Sequence, residues 1–216
     1  YSSKVSSLVC YYSQVQLIPA IRVVQIFKDC HGLEISEGTI FNMISRMNKN
    51  LENTEDDLKE LALEQKILHA DETSIKVNGE SCWVHVLSNG IITLLLGHRS
   101  RGMKALNDFN LLEHYKNTLI HDNFSMYFSF EEMRHGTCGA HLVRELEFAE
   151  DIEGQRWAHK VKTFLLDLNE LLKNQKLSTD EKTRIEVSYD ELANEAILAT
   201  EQMGSGTKSR PLARRL

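Results

Sequence analysis

The sequence predicts a chain of mixed class, α/β or α+β, with an all-helical N-terminal part, and three observations carry that prediction. Apolar residues recur at helical intervals through the first third of the chain. The period then changes to alternation around two dipeptides, Asn78-Gly79 and Asn89-Gly90, of the kind a two-residue hairpin turn needs. From Gly139 onward the helical period returns. Composition agrees: 216 residues, 42% hydrophobic and 26% charged, describe a globular protein and exclude collagen-like, low-complexity and disordered chains. At roughly 150 residues per domain, the length allows one large or two small domains.

In order, Lys4 to Ile18 reads as a first helix, with Val5, Leu8, Val9, Tyr12 and Val15 on its apolar stripe. Pro19 suits the first turn of a second helix, because its missing N–H would be unpaired there anyway. That helix carries Ile21, Val23, Val24, Ile26 and Phe27 and ends near Cys30-His31-Gly32, where Gly32 can take a left-handed cap. Ser36 is the expected N-cap of a third helix, with Glu37 complementing its dipole, and the pattern runs on toward Leu61. Helix, short turn with Gly, capped helix is the layout of a helix-turn-helix, in which Arg46 and Lys49 lie where a recognition helix would offer cations. Residues 1–66 nevertheless hold seven Lys+Arg against nine Asp+Glu, and plain helical packing is the favoured reading.

Ile67-Leu68-His69-Ala70-Asp71 is a short apolar run ending in a carboxylate, and Ser74-Ile75-Lys76-Val77 alternates. After Asn78-Gly79 comes the return strand Ser81 to Leu87, then Asn89-Gly90 and a third strand from Ile91 to Leu96. Arg99 to Tyr115 reads as loop and helix, and Thr118-Leu119-Ile120-His121-Asp122 is one more apolar run ending in Asp. A helical hairpin follows through Trp157, Val161, Phe164, Leu165 and Leu168. A further helix starts at the capping box Ser178-Thr179-Asp180-Glu181, continues to Met203 and ends at Gly204-Ser205-Gly206. Lys208, Arg210, Arg214 and Arg215 read as a basic tail.

The formal charge of −6, from 25 Lys+Arg against 31 Asp+Glu, argues against an unaided tight grip on nucleic acid. No apolar run approaches the ~18 residues of a membrane span, and Ser13 and Gln14 interrupt Leu8-Val9-Cys10 too soon for a signal peptide. Cys10, Cys30, Cys82 and Cys138 are scattered and read as free thiols of a reducing cytoplasm. The chain begins at Tyr1 rather than Met and stops on Arg214-Arg215-Leu216, which reads as a piece of something longer.

Two strands that end on a carboxylate, at Asp71 and Asp122, would project both acids at one end of a sheet if they lie side by side and parallel. Like charges there call for a cation, and hard oxygen ligands select Mg²⁺ or Mn²⁺. The plainer reading is that each Asp caps its strand or the helix after it. His69 and His121, on the alternate face, are expected as packed core histidines. Cys138-Gly139-Ala140-His141 opens a helix as half of a zinc pattern without a second pair, or as a source of a histidine that supports the acidic site through a hydrogen bond.

Several segments together resemble the transposases of the IS66 insertion-sequence family. They are Asp71-Glu72-Thr73-Ser74-Ile75-Lys76-Val77-Asn78-Gly79 with Trp83-Val84-His85-Val86, His98-Arg99-Ser100-Arg101-Gly102, His121-Asp122-Asn123-Phe124 with Tyr127, and Cys138-Gly139-Ala140-His141 with Arg144-Glu145-Leu146. Ile35-Ser36-Glu37-Gly38-Thr39 extends the resemblance into the N-terminal part, so that it runs through nearly the whole chain. It implies an α/β fold with an RNase H-like core over residues 66–138, an antiparallel three-stranded meander plus a parallel strand. A helix-turn-helix-like region over 1–65 precedes this core, and a helical insertion with a basic tail over 139–216 follows it. It also implies an Asp-Asp-Glu catalytic set in which Asp71 and Asp122 are the first two acids and the metal ligands, with Mg²⁺ or Mn²⁺ as cofactor, two ions in the complete enzyme. The family's chemistry is phosphodiester hydrolysis that frees a 3′-OH, then attack of that hydroxyl on target DNA.

Transposon ends and target DNA are the implied partners, with Arg46, Lys49, Arg99 and Arg101 as candidate DNA contacts, a homo-oligomer as the working form, no membrane, and the bacterial cytoplasm as the location. Cys138, His141 and Glu145 are expected to support the site or the fold. The family's last acid lies in a segment resembling Asn-Asn-x-x-Glu-Arg, which this sequence lacks; Glu145 and Glu147 are the nearest substitutes. A chain without that acid, read as a fragment lacking the final Glu, is expected to hold its ions weakly and to be inactive as it stands. The alternative is a non-catalytic DNA-binding or assembly remnant that uses the N-terminal helices and the basic tail. A third reading is an RNase H-like nuclease for RNA–DNA hybrids or junctions.

Overall fold

The computed structural model describes residues 1–201, 203 and 207–216. The helix end expected at Gly204-Ser205-Gly206 lies outside these residues. The chain divides into two compact units, Tyr1–Gln65 and Lys66–Leu216.

In the first unit Ser2 caps helix α1 (Ser3–Cys10) by accepting a hydrogen bond from the Val5 amide. Instead of continuing as one helix to Ile18, the backbone widens into a π-helical turn over Tyr11–Val15. Pro19 is the N-cap of α2 (Ala20–His31), and Gly32 closes it at φ 63°, in the left-handed region where a Cβ is costly. Ser36 accepts from the Thr39 amide and starts α3 (Glu37–Asn50). The helix expected to reach Leu61 breaks at Leu51 (φ −100°, ψ 2°), and α4 (Glu52–Leu63) begins there. Asn48, Asn50 and Asn53 flank the break, and Asn favours turns because its side chain competes for nearby backbone groups. Val9, Val23, Phe27, Ile35, Ile40 and Met43 form this unit's core.

The second unit is built on a mixed five-stranded sheet in the order β3-β2-β1-β4-β5. Strands β1 (Ile67–Val77), β2 (Glu80–Ser88) and β3 (Thr93–His98) form an antiparallel meander. At the first turn Asn78 and Gly79 take φ of 51° and 84°, as a tight right-twisted hairpin requires. The second Asn-Gly behaves differently. Neither residue takes positive φ, Ser88 pairs with Thr93 across a four-residue loop, and β3 starts two residues later than expected. The Asn89 Oδ1 accepts from the amides of Ile91 (2.8 Å) and Ile92 (3.0 Å), so the side chain builds the turn that the backbone was expected to make.

Helix α5 (Met103–Phe109) and a 3₁₀ turn (Leu112–His114) lead to β4 (Thr118–His121), which pairs parallel to β1. The sequence did not announce β5 (Arg134–Thr137), which lacks an apolar alternation; it pairs parallel to β4. Gly136 leaves the space beside it to Ile120, whose Cδ1 a Cβ there would displace. Helices α6 (Gly139–Asp151), α7 (Arg156–Asn174), α8 (Thr179–Thr200) and α9 (Ser209–Ala213) complete nine α-helices among the described residues. The capping box at Ser178 and Glu181 forms as expected. None of these helices is long and apolar enough to cross a membrane.

The segment read as a basic tail is a docked helix. Leu212 and Ala213 of α9 join Leu142, Leu146, Trp157 and Val161 in one core. Glu153 accepts from the backbone amides of Lys208 (2.8 Å) and Ser209 (2.9 Å) and from the Ser209 hydroxyl. Lys208 lies over the Phe148 ring at 4.6 Å.

Candidate functional site

Asp71 lies in the middle of β1, which runs on to Val77 rather than ending at this residue, and Asp122 follows the last residue of the neighbouring parallel strand β4. The β1–β4 register pairs Ile67 with Thr118, Leu68 with Leu119 and His69 with Ile120, an offset of 51 that also separates Asp71 from Asp122. Strand alternation puts Asp71 on the face opposite the buried Leu68 and Ala70, whereas Asp122 lies beyond β4 and approaches the same guanidinium that Glu72 holds. His69 shares the outer face with Asp71 and is exposed, so the expectation of a core histidine fails there and holds for His121.

Each acid has one oxygen held by a nearby amide. Asp71 Oδ1 accepts from the Glu72 amide at 2.9 Å, and Asp122 Oδ1 accepts from the Phe124 amide at 3.0 Å, just past the end of β4. Asp122 Oδ2 faces Arg101 Nη2 at 3.8 Å.

Arg101 belongs to a small polar cluster that sequence reasoning missed. Its Nη2 and Nε donate to Glu72 Oε2 at 3.2 and 3.4 Å, and the Glu72 side chain is fully buried. The guanidinium lies 4.2 Å from the Phe124 ring and 5.1 Å from Trp83, two faces that fix its plane. Tyr127 donates its hydroxyl proton to Glu72 Oε1. Burial, then the bond to Glu72, pushes the Tyr127 phenol far up, and the charges of Asp122 and Asp71 add to the shift, so the group stays a donor. The sequence placed Glu72 beside Asp71 and put Trp83, Arg101, Phe124 and Tyr127 in the segments that carry the resemblance, with nothing to say that the five meet. Since neighbours on a strand face opposite ways, adjacency by itself points Glu72 away from Asp71.

Behind Asp122, the buried His121 has a fixed tautomer. The Asn123 amide donates to its Nδ1 at 3.2 Å, so the proton sits on Nε2 and is donated to His135 Nδ1 at 3.0 Å. His135 Nε2 in turn donates to the Phe130 carbonyl at 3.1 Å. Burial, then His135, pushes the His121 imidazole down to about 4 against the opposing pull of Asp122. A neutral ring therefore supports this strand end at ordinary pH.

The other expected site residues lie elsewhere. Cys138, a half-buried free thiol, is the N-cap of α6, and its amide donates to the His121 carbonyl at 2.7 Å. His141 lines a pocket of about 390 Å³ with Arg144, Glu145, Phe148 and Lys208, and its Nδ1 is buried without a partner among the described residues. Glu145 pairs with Arg215 at 2.7 Å, and Glu147 is exposed. Of the candidate DNA contacts, Arg46 donates to Ser6 Oγ within the first unit (3.3 Å), and Lys49 is exposed in the last turn of α3. Arg99 pairs with Glu80 at 3.4 Å on an exposed surface, whereas Arg101 is turned inward to Glu72.

Among the described residues, no three His, Cys, Asp or Glu side chains gather as a ready metal cage. The donor chemistry at Asp71 and Asp122 still suits Mg²⁺ or Mn²⁺. Mg²⁺ typically takes one or two carboxylates and completes its octahedron with water and substrate phosphates. Glu72 and Asp122 share one guanidinium, an excess of negative charge that a divalent cation would offset.

The model of the family described as "Transposase IS66 family" matches residues 1–213. No curated protein matches the chain.

Proposed function

The chain belongs to the IS66 transposase family, and from that premise we propose that it is a DNA transposase of the DDE type with an RNase H-like core. Transposase membership brings interaction with DNA. The finer reading is metal-dependent phosphodiester hydrolysis and strand transfer, with Asp71 and Asp122 as the acids that hold Mg²⁺ or Mn²⁺. What supports it is the parallel β1–β4 pairing, whose offset of 51 residues equals the separation of Asp71 and Asp122. A divalent ion between them would stabilise charge on the entering and leaving oxygens of an in-line displacement. The residues' own part is to hold that ion and to orient it through the amide-held oxygens of Asp71 and Asp122. Glu72 is not a third ligand in this reading, because Arg101 and Tyr127 already engage its carboxylate.

The test is nicking of supercoiled plasmid in Mn²⁺ by the wild-type chain and by Asp71→Asn and Asp122→Asn. Nicking that both substitutions abolish supports the reading. Salt-dependent DNA binding that survives both substitutions, with no nicking at any metal concentration, overturns it in favour of a non-catalytic DNA-binding module. Cleavage confined to RNA–DNA hybrids overturns it in favour of a nuclease.

A further inference from the structure

We propose that Glu72 is a positioning residue that holds Arg101 back from Asp122 and so leaves the Asp122 carboxylate open to a cation. The inference rests on the reading of Asp71 and Asp122 as a metal pair, and it concerns what keeps that pair available.

A guanidinium beside an acidic pair is a competitor for it. Arg101 is permanently charged and planar, and bidentate pairing with a carboxylate is its strongest contact. Left to itself next to Asp122, it would close on that carboxylate and neutralise it. Its donors go elsewhere. Nη2 and Nε both reach the same oxygen of Glu72, at 3.2 and 3.4 Å, while the approach to Asp122 stays at 3.8 Å, beyond hydrogen-bond length.

The preference has a physical cause. The Glu72 side chain is fully buried, so it loses most if left unpaired, whereas Asp122 keeps a fifth of its side-chain surface in solvent. Tyr127 anchors the other Glu72 oxygen, and the rings of Phe124 and Trp83 hold the guanidinium plane. Glu72 and Asp71 are consecutive on β1 and face opposite ways. One strand carries both the proposed acid Asp71 and the residue that holds Arg101.

Removing the Glu72 charge should therefore release Arg101 onto Asp122. Glu72→Gln keeps the shape and an acceptor for Tyr127, so the fold has little reason to fail. Two readouts separate this inference from the metal reading. The first needs no metal: Asp122→Asn is introduced into wild type and into Glu72→Gln, and thermal unfolding is compared. Asp122→Asn is expected to change the melting temperature little in wild type. In the Glu72→Gln background it is expected to lower it by about 3 °C more, the scale of one newly formed ion pair in a domain of this size. Equal shifts in the two backgrounds overturn the proposal.

The second readout is Mn²⁺ binding by calorimetry. Glu72→Gln is expected to weaken binding about tenfold, and the double variant Glu72→Gln/Arg101→Met to recover it, because the competitor is gone. Unchanged affinity in Glu72→Gln, or no recovery in the double variant, overturns the proposal. If wild type binds no Mn²⁺ that Asp71→Asn removes, the metal reading fails. The unfolding comparison then still decides whether Glu72 restrains Arg101.

Discussion

Near the end of β4 two carboxylates, Glu72 and Asp122, share one guanidinium, and that guanidinium is committed to the acid that is fully buried. In helices α6–α9 several charges of opposite sign meet. Glu145 meets Arg215 at 2.7 Å, Glu150 meets Lys162 at 2.6 Å, Lys160 meets Glu195 at 2.6 Å, and Glu153 takes the first amides of α9. In the second region charge serves docking of one helix on another. In the first, negative charge is left over at a strand end. The difference separates charged residues that complete a fold from the acids proposed above to take a cation, and residue type alone does not make that distinction.

The largest effect expected from a single change falls on the helical side. Trp157 is buried in the core shared by α6, α7, α8 and α9, and Trp157→Ala should cost about 3–5 kcal/mol in denaturant unfolding. A loss under about 1 kcal/mol would mean that these helices do not share one core. Next comes Arg101→Met, which strands the buried Glu72 carboxylate with Tyr127 as its remaining donor. It should cost about 3 kcal/mol in the same measurement. Arg215→Met removes the partner of Glu145 from an exposed pair and should cost under about 1 kcal/mol. This last pair sharpens the comparison: if the two arginine substitutions cost the same, the two regions do not use charge differently.

The parts of this picture that were legible in the sequence are those that local chemistry decides. Asn78-Gly79 announced its hairpin because both central residues must take positive φ, and Ser36, Gly32 and the Ser178-Glu181 box marked helix ends through their own backbone bonds. Asn89-Gly90 carried the same letters, but the Asn89 side chain caps Ile91 and Ile92, which lengthens the loop. The strand β5 escaped notice because its four residues carry no apolar alternation and its pairing with β4 joins residues 16 positions apart.

The acid pair could be stated from sequence only conditionally, since its geometry depends on whether β1 and β4 lie parallel and adjacent. Glu72 with Arg101 was illegible for a different reason. Arg101 stood in a basic motif that reads as a nucleic-acid contact, and only the tertiary fold turns it 29 positions back onto a buried glutamate. Lys208 to Arg215 misled in the same way. Their charge density suggested a solvated tail, while Ser209, Leu212 and Ala213 carried the burial.

The central claim is that Asp71 and Asp122 form one divalent-cation site, and thermal unfolding in rising Mn²⁺ tests it most directly. A ligand at 100 times its Kd stabilises the folded state by about 2.7 kcal/mol. The wild-type chain should therefore show a saturable rise in melting temperature of several degrees, absent in Asp71→Asn and in Asp122→Asn. A rise of the same size in either variant, or no rise in the wild type, would contradict the account.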